Sequence, residues 1–179
     1  MKFRQVTLPT GHTFDVPQGI QRIDSKSTHG WQVRCQGTKL FSDGESADPQ
    51  QSLAKALKEL LARTASMPAV LPRMNSAPSI HKTSDLPPGI SGPIVRSRPG
   101  RALIAELSVL LPRLGLQPKI KSIYIGSQNT YTEDRYRAAL AKGIELRKAA
   151  LDRYERDALK AHSQNIKALK SELSSLRKG

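Results

Sequence analysis

Residues 19–44, GIQRIDSKSTHGWQVRCQGTKLFSDG, decide how the first part of this chain folds. Trp31, Val33 and Cys35 alternate with Gln32, Arg34 and Gln36. A period of two is that of a strand with one buried and one polar face. Before it, residues 20–23 form a short β-favouring run, and residues 25–30 read as a loop in which His29 and Gly30 are turn residues. After it, Gln36-Gly37 turns the chain and residues 38–42 give the next strand. Asp48-Pro49-Gln50-Gln51 then has the form of a helix start, with Asp at the N-cap and Pro in the first turn. Leu53, Ala56, Leu57, Leu60 and Leu61 recur at helical spacing, and the helix should end near Ala65, ahead of Pro68.

On the N-terminal side, residues 2–16 read as a β-hairpin. Phe3, Val6 and Leu8 lead into Pro9-Thr10-Gly11, and Phe14 and Val16 return. On the C-terminal side, residues 66–92 carry Pro68, Pro72, Pro78, Pro87 and Pro88 among Ser, Asn and Thr. They read as an extended, mobile linker, with an ordered meander packed on one domain as the alternative. Strands follow at 94–98, 102–111 and 119–126. Thr130, with Glu133 three residues on, has the spacing of a capping box. Leu140, Ile144, Leu151 and Tyr154 trace a helix that continues to about Arg177.

The expected fold class is therefore α+β. Two small three-stranded antiparallel sheets are each backed by a helix and joined by a Pro-rich linker, with a long C-terminal helix. The expected segments are 1–65, the hairpin plus the first strand-strand-strand-helix module; 66–92, the linker; 93–158, a second and degenerate module; and 159–179, a helical extension. The shared element order, and Gly19-Ile20 against Gly89-Ile90, read as a degenerate tandem duplication. In the extension, Leu159, His162, Ile166, Leu169, Leu173 and Leu176 alternate in steps of three and four, a coiled-coil rhythm. Three uses compete: pairing with a second copy, folding back on the chain, or fraying as a basic tail. Pairing into a homodimer is preferred, because it would place two sheets on one ligand.

Composition narrows the partner. The chain has 179 residues, 29 Lys+Arg against 15 Asp+Glu, and a formal net charge of +14. Such an excess attracts polyanions, since each cation that neutralises a phosphate releases a condensed counterion. Nucleic acid is preferred over an anionic membrane surface. Residues 93–130 carry six basic and one acidic residue, residues 1–65 nine and six, so the second sheet is the more basic. The hydrophobic fraction of 37% and aromatic fraction of 4% favour two small cores over one large one. No apolar run approaches the roughly 20 residues of a membrane-spanning helix. The N-terminus lacks a signal-peptide pattern, and a single cysteine, Cys35, fits a reducing cytoplasmic setting.

The stretch at 19–44, with the Leu/Ala-rich helix after it, resembles the APETALA-two/ethylene-response-factor DNA-binding domain family, in its bacterial and phage members. A Gly-Ile start, a His-Gly-Trp turn, an x-Val-Arg strand and a Phe-Ser-Asp corner carry the resemblance over residues 18–63. Residues 120–147, IKSIYIGSQNTYTEDRYRAALAKGIELR, resemble the last strand, corner and helix of a second copy more loosely. The resemblance implies that the sheet, not the helix, enters the major groove of double-stranded DNA.

Parity then points to site residues. If Trp31, Val33 and Cys35 face the helix, Gln32 and Arg34 face away, where Gln can pair with adenine and Arg with guanine. Gln21 and Arg22 lie on the preceding strand, whose parity is ambiguous because Ile20 and Ile23 fall on opposite faces of a regular strand. Arg22 is expected outward, since a basic residue gains little from facing the helix. Lys39 lies on the following strand, and Lys26, in a turn, reads as a phosphate contact. In the second half Arg96, Arg98, Arg101, Lys119 and Lys121 form the basic set, and Tyr124 reads as stacking or boundary packing.

No catalytic activity, metal or cofactor is expected. His12, His29, His81 and His162 are scattered, no phosphate-binding glycine loop is present, and Asp43 reads as a turn device bonding its own backbone. The expected function is a transcriptional regulator or a phage or mobile-element accessory factor. The alternatives are a sequence-tolerant DNA-coating protein, or an interaction factor acting through its C-terminal helix.

Overall fold

The computed structural model of the chain describes residues 1–45, 47–69 and 84–176, without the side chain of Arg98. The fold is α+β. The elements are β1 (Phe3–Thr7), β2 (Thr13–Pro17), β3 (Ile20–Asp24), β4 (His29–Val33), β5 (Lys39–Ser42), α1 (Pro49–Ser66), β6 (Ile90–Arg98), β7 (Arg101–Leu111), β8 (Lys119–Ser127) and α2 (Glu133–Leu176). They make a two-stranded sheet, β1-β2, and two three-stranded sheets, β3-β4-β5 and β6-β7-β8, with every adjacent pair antiparallel. Residues 70–83 of the expected linker and the expected helix end at Arg177 lie outside the described residues.

The chain divides into two compact units. The first holds residues 1–69 and 160–179, the second residues 70–159. In the first unit, strand alternation drives Trp31 and Val33 into a core with Leu53, Leu57 and Leu60 of α1. Phe14 and Val16 of the hairpin join the same cluster, and Phe14 meets Trp31 edge to face. The Trp31 indole N–H donates to Pro49 O at 2.8 Å, so the largest core side chain leaves no polar atom unpaired. α1 starts as its sequence implies: the Asp48 carboxylate accepts from the backbone N–H groups of Gln50 and Gln51. His29 and Gly30, expected in a turn, instead open β4. A Cβ on Gly30 would fall 2.3 Å from Phe41 O, so the strand itself requires glycine there.

The end of α2 belongs to this unit. Leu169 is fully buried in the core, with Leu173 and Leu176 packed on it. His162 Nε2 donates to Thr64 O at 2.9 Å, and Gln50 Nε2 donates to Leu176 O at 2.7 Å. The N-terminal ammonium donates to Asn165 Oδ1. Of the three uses weighed for the heptad stripe, folding back on the chain is the one observed. A second copy could pair along this seam only by displacing Leu169 from a core where its burial is worth about 1.5–3 kcal/mol.

In the second unit, Ile90, Leu107, Val109, Ile123 and Ile125 face Ala139 and its neighbours on α2. β6 begins at Ile90, four residues before the position expected from sequence. Gly92, expected as the last linker residue, and Pro93 form a bulge within β6: both lie between the pairs Ser91↔Ser108 and Ile94↔Glu106, opposite Leu107 alone. Gly92 has φ 131°, and a Cβ there would sit 2.9 Å from Glu106 O. The helix cap also differs from expectation. Thr132, not Thr130, accepts from the Arg135 N–H, while Thr130 Oγ1 accepts from the Ser127 N–H in the preceding turn.

Candidate nucleic-acid interface

Register fixes the two faces of the first sheet. Ile20 pairs with Val33 and Val33 with Lys39; Arg22 pairs with Trp31 and Trp31 with Phe41. Directly paired residues share a face, so Arg22 and Lys39 lie on the side that meets α1. The opposite face carries Gln21, Gln32 and Leu40 in one row and Ile23, Gly30 and Ser42 in the next. Arg34 continues the Gln32 side just past the end of β4, is exposed, and donates through Nε to Gln32 Oε1 at 2.6 Å.

Arg22 is thus not an outward residue. Its guanidinium lies 5.1 Å from the Trp31 ring centre and bonds two carboxylates, Asp24 and Asp43, with two hydrogen bonds to each. A basic residue gains little from the helix side unless a partner waits there. Asp43, on the corner after β5 and twenty-one residues along the chain, is that partner and makes the helix side a carboxylate socket. Among the described residues the Asp43 carboxylate does not bond its own backbone as expected; its Oδ1 accepts from the Ser52 hydroxyl of α1 as well as from Arg22, tying corner to helix. The acid-base behaviour follows. Burial pushes Arg22 down, but hydrogen bonds to Asp43 and Asp24 outweigh it and raise its pKa. Hydrogen bonding from Arg22 holds Asp24 below the usual carboxylate range. Burial pushes Asp43 up, yet the hydrogen bonds from Arg22 and Ser52 outweigh it and leave the carboxyl lowered. Lys39, the other displaced cation, bonds Glu59 of α1 at 3.0 Å. Hydrogen bonds from Lys39 and Arg63 lower the Glu59 pKa.

Of the first-module candidates, Gln21, Gln32 and Arg34 therefore come together on one open face. Lys26 stands exposed in the β3–β4 turn, and no described carboxylate forms an ion pair with it or with Arg34.

The second sheet does not assemble its candidates in this way. Arg96 pairs with Ile104, on the face that carries Ile94, Glu106 and Tyr124, away from α2. There it forms an ion pair with Glu106, whose carboxylate also accepts from Ser122 Oγ at 3.2 Å. Lys121 pairs with Val109 and Lys119 with Leu111, so both have the parity of the core face, though both are exposed. Arg101 opens β7 opposite Arg98, whose side chain is outside the described residues. Within the expected basic set, Arg96 thus lies on one face of the sheet and Lys119 and Lys121 have the parity of the other. Tyr124 and Ile120 are exposed on the outer face, at 55% and 65%.

Two clefts flank the first sheet. The larger, about 590 Å³, runs past His12, Arg22, Asp24, His29, Asp43 and Asp48. Asp24 there also bonds His29 Nδ1 at 2.9 Å. Three carboxylates on its wall make it unsuited to a polyanion. The smaller, about 520 Å³, is lined by Lys2, Arg4, Gln21 and Arg34 with no acidic residue. Lys2, just before β1, and Arg4, on it, were not singled out from sequence, because no motif surrounds them.

Among the described residues no group of three or more His, Cys, Asp or Glu side chains could hold a metal ion, and no helix is long and apolar enough to cross a membrane. No protein-family model, curated protein or solved structure matches the chain. The resemblance to the APETALA-two/ethylene-response-factor domain rests on the quoted residues alone.

Proposed function

We propose that the chain binds double-stranded DNA without catalysing a reaction, laying the outer face of β3-β4-β5 in the major groove, and that it regulates transcription or serves a phage or mobile element. The observation that carries this reading is the paired Gln21–Gln32 row, extended by Arg34, on the face opposite α1. Gln and Arg are side chains that bond adenine and guanine edges through two contacts. The net charge of +14 supplies the sequence-independent attraction. Lys26, at the turn beside this face, serves as a phosphate contact. A free, half-buried Cys35 suits the reducing interior of a cell.

The test is a mobility-shift titration with duplex DNA at several salt concentrations. Affinity should fall steeply with salt, and Arg34→Ala should weaken it about tenfold. Absence of binding at low salt would refute the proposal.

A second reading, a sequence-tolerant DNA-coating protein, is favoured by one observation: among the described residues the outer face of the first sheet carries Arg34 at the end of β4 and Lys26 in the β3–β4 turn as its cations, while other cations are spread over several faces. Selection from a random duplex pool separates the two. An enriched motif supports the first reading, and none supports the second.

A further inference from the structure

We infer that the cleft between the N-terminal hairpin and β3 is a binding site for the backbone phosphates of a duplex, with Lys2 and Arg4 as its cations. This deepens the proposed function and rests on it. The volume, about 520 Å³, lies within the ~300–1,000 Å³ range of ligand sites. Its chemistry, however, is not that of a small-molecule pocket. Apart from Phe3 and Ile20 the lining is polar: Lys2, Arg4, Gln18, Gly19, Gln21 and Arg34. Three cations line it, no carboxylate does, and none of the three takes part in an ion pair among the described residues.

The cations are held by backbone bonds that do not consume their charge. Gln18 N–H donates to Lys2 O at 2.9 Å, fixing the start of β1 beside the β2–β3 turn. Arg34 N–H donates to Gly19 O at 2.8 Å, fixing the end of β4 to the same turn. Arg4 Nη2 donates to Ile20 O at 3.2 Å, which orients the guanidinium and leaves its other donors free. Gly19, with φ 104°, permits the turn on which all three converge.

The occupant follows from what the cleft shares. Gln21 and Arg34 line it and also belong to the outer face of the sheet. A duplex whose base edges reach Gln32 and Arg34 must pass its flanking strand over this cleft. Groups that position a duplex without reading it are cations aimed at phosphates. The larger cleft, at the other end of β3 between Pro9 and His12 of the hairpin and the corner after β5, sets Asp24, Asp43 and Asp48 against Arg22 as its one Lys or Arg among the described residues, and would repel the same strand. The two clefts therefore assign a direction: the phosphate strand leaves the sheet past the β2–β3 turn, beside Lys2 and Arg4, and not past the β3–β4 turn and the corner after β5.

The experiment compares the full chain with the Lys2→Gln/Arg4→Gln double variant and with Arg4→Lys. Duplex affinity is measured across salt concentrations, and thermal melts confirm folding. The double variant should lose about tenfold in affinity near 0.1 M salt, equally for selected and unrelated duplexes. The slope of log affinity against log salt should shrink by about two. Arg4→Lys should keep the slope, since charge is retained. An unchanged slope in a folded double variant that still binds duplex overturns this site and leaves the proposed function standing. A full chain that binds no duplex at low salt overturns both. Calorimetry with inorganic pyrophosphate is the third arm. Tight binding that the double variant abolishes, with the duplex slope unchanged, assigns the cleft to a free phosphorylated ligand and overturns the duplex reading.

Discussion

The two three-stranded sheets follow the same order, three antiparallel strands and a helix, yet they treat positive charge oppositely. The second is drawn from the more basic stretch of sequence. Its outer face nevertheless presents Arg96 already paired with Glu106, beside exposed Ile120 and Tyr124. The first, with a smaller basic excess, leaves Arg34 free beside two glutamines and confines Arg22 and Lys39 to partners on the helix side. Counting cations along a chain measures its field at a distance. Parity and pairing decide which cations can meet a ligand. If the proposed function holds, base reading belongs to the first sheet, and the greater basic excess of the second sheet's sequence does not make it the stronger binder.

The largest expected effect tests whether Arg22 is structural. Arg22→Ala should cost about 3 kcal/mol, because it leaves the buried Asp43 carboxylate without its ion partner. Chemical denaturation measures this, and hydrogen exchange should place the loss in the first unit. Acid should reproduce part of it. Asp24 and Asp43 have folded pKa values below their unfolded ones. Their contribution is complete above the ordinary carboxylate range and is lost as pH falls through that range toward the depressed folded values. Stability should therefore drop below about pH 4 in the full chain, and less so in Arg22→Ala. A variant that kept its stability but lost DNA affinity would return Arg22 to the interface.

The second unit has its own buried cation. Arg147 of α2 is 6% exposed, donates to Leu110 O, and lies against Gly89, where a Cβ would fall 2.1 Å from its guanidinium carbon. Burial lowers its pKa. Arg147→Ala should cost about 2 kcal/mol, through the unpaired Leu110 carbonyl and the cavity left behind. The loss should be confined to the second unit. Gly89→Ala should give a comparable loss, since the added methyl collides with the same group and φ is 79° there.

Binding separates the sheets more directly. Arg34→Ala should reduce duplex affinity about tenfold, and Arg96→Ala less than twofold, because Arg96 is already neutralised by Glu106. Glu106→Gln, which frees Arg96, should raise affinity about threefold at low salt. Equal losses in Arg34→Ala and Arg96→Ala, read by mobility shift, would break the comparison.

Much of this architecture is legible in the sequence, for local reasons. Trp31-Gln32-Val33 alternates so cleanly that one face had to be core, and Asp48-Pro49 caps a helix by its own chemistry. What escaped reading depends on partners far along the chain. Arg22 looked free until Asp43, twenty-one residues on, was placed beside it. Gly92 looked like the end of the linker because a bulge is defined by the strand opposite it. Lys2 and Arg4 carry no motif, and become a cleft only when the hairpin docks beside β3. The C-terminal stripe had a heptad rhythm, but rhythm names an apolar face and not what covers it.

That cover is also where the smallest effect should appear. Glu172 lies on the segment of α2 that docks in the first unit, one residue from Leu173. Burial raises its pKa, and the charge of Asp15 on β2 adds to the rise. A carboxyl whose folded pKa exceeds its unfolded one opposes folding once it is ionised, so at neutral pH it works against docking of the helix end. Glu172→Gln removes the charge and keeps the shape. It should stabilise the chain by about 0.5 kcal/mol at pH 7, seen as a rise of a degree or two in Tm. The gain should vanish below about pH 4, where the native carboxyl is protonated in both states. Asp15→Asn should capture the smaller, electrostatic share of the same gain. If Glu172→Gln instead destabilised the chain at neutral pH, the helix end would be held by a charge interaction rather than by Leu169, Leu173 and Leu176.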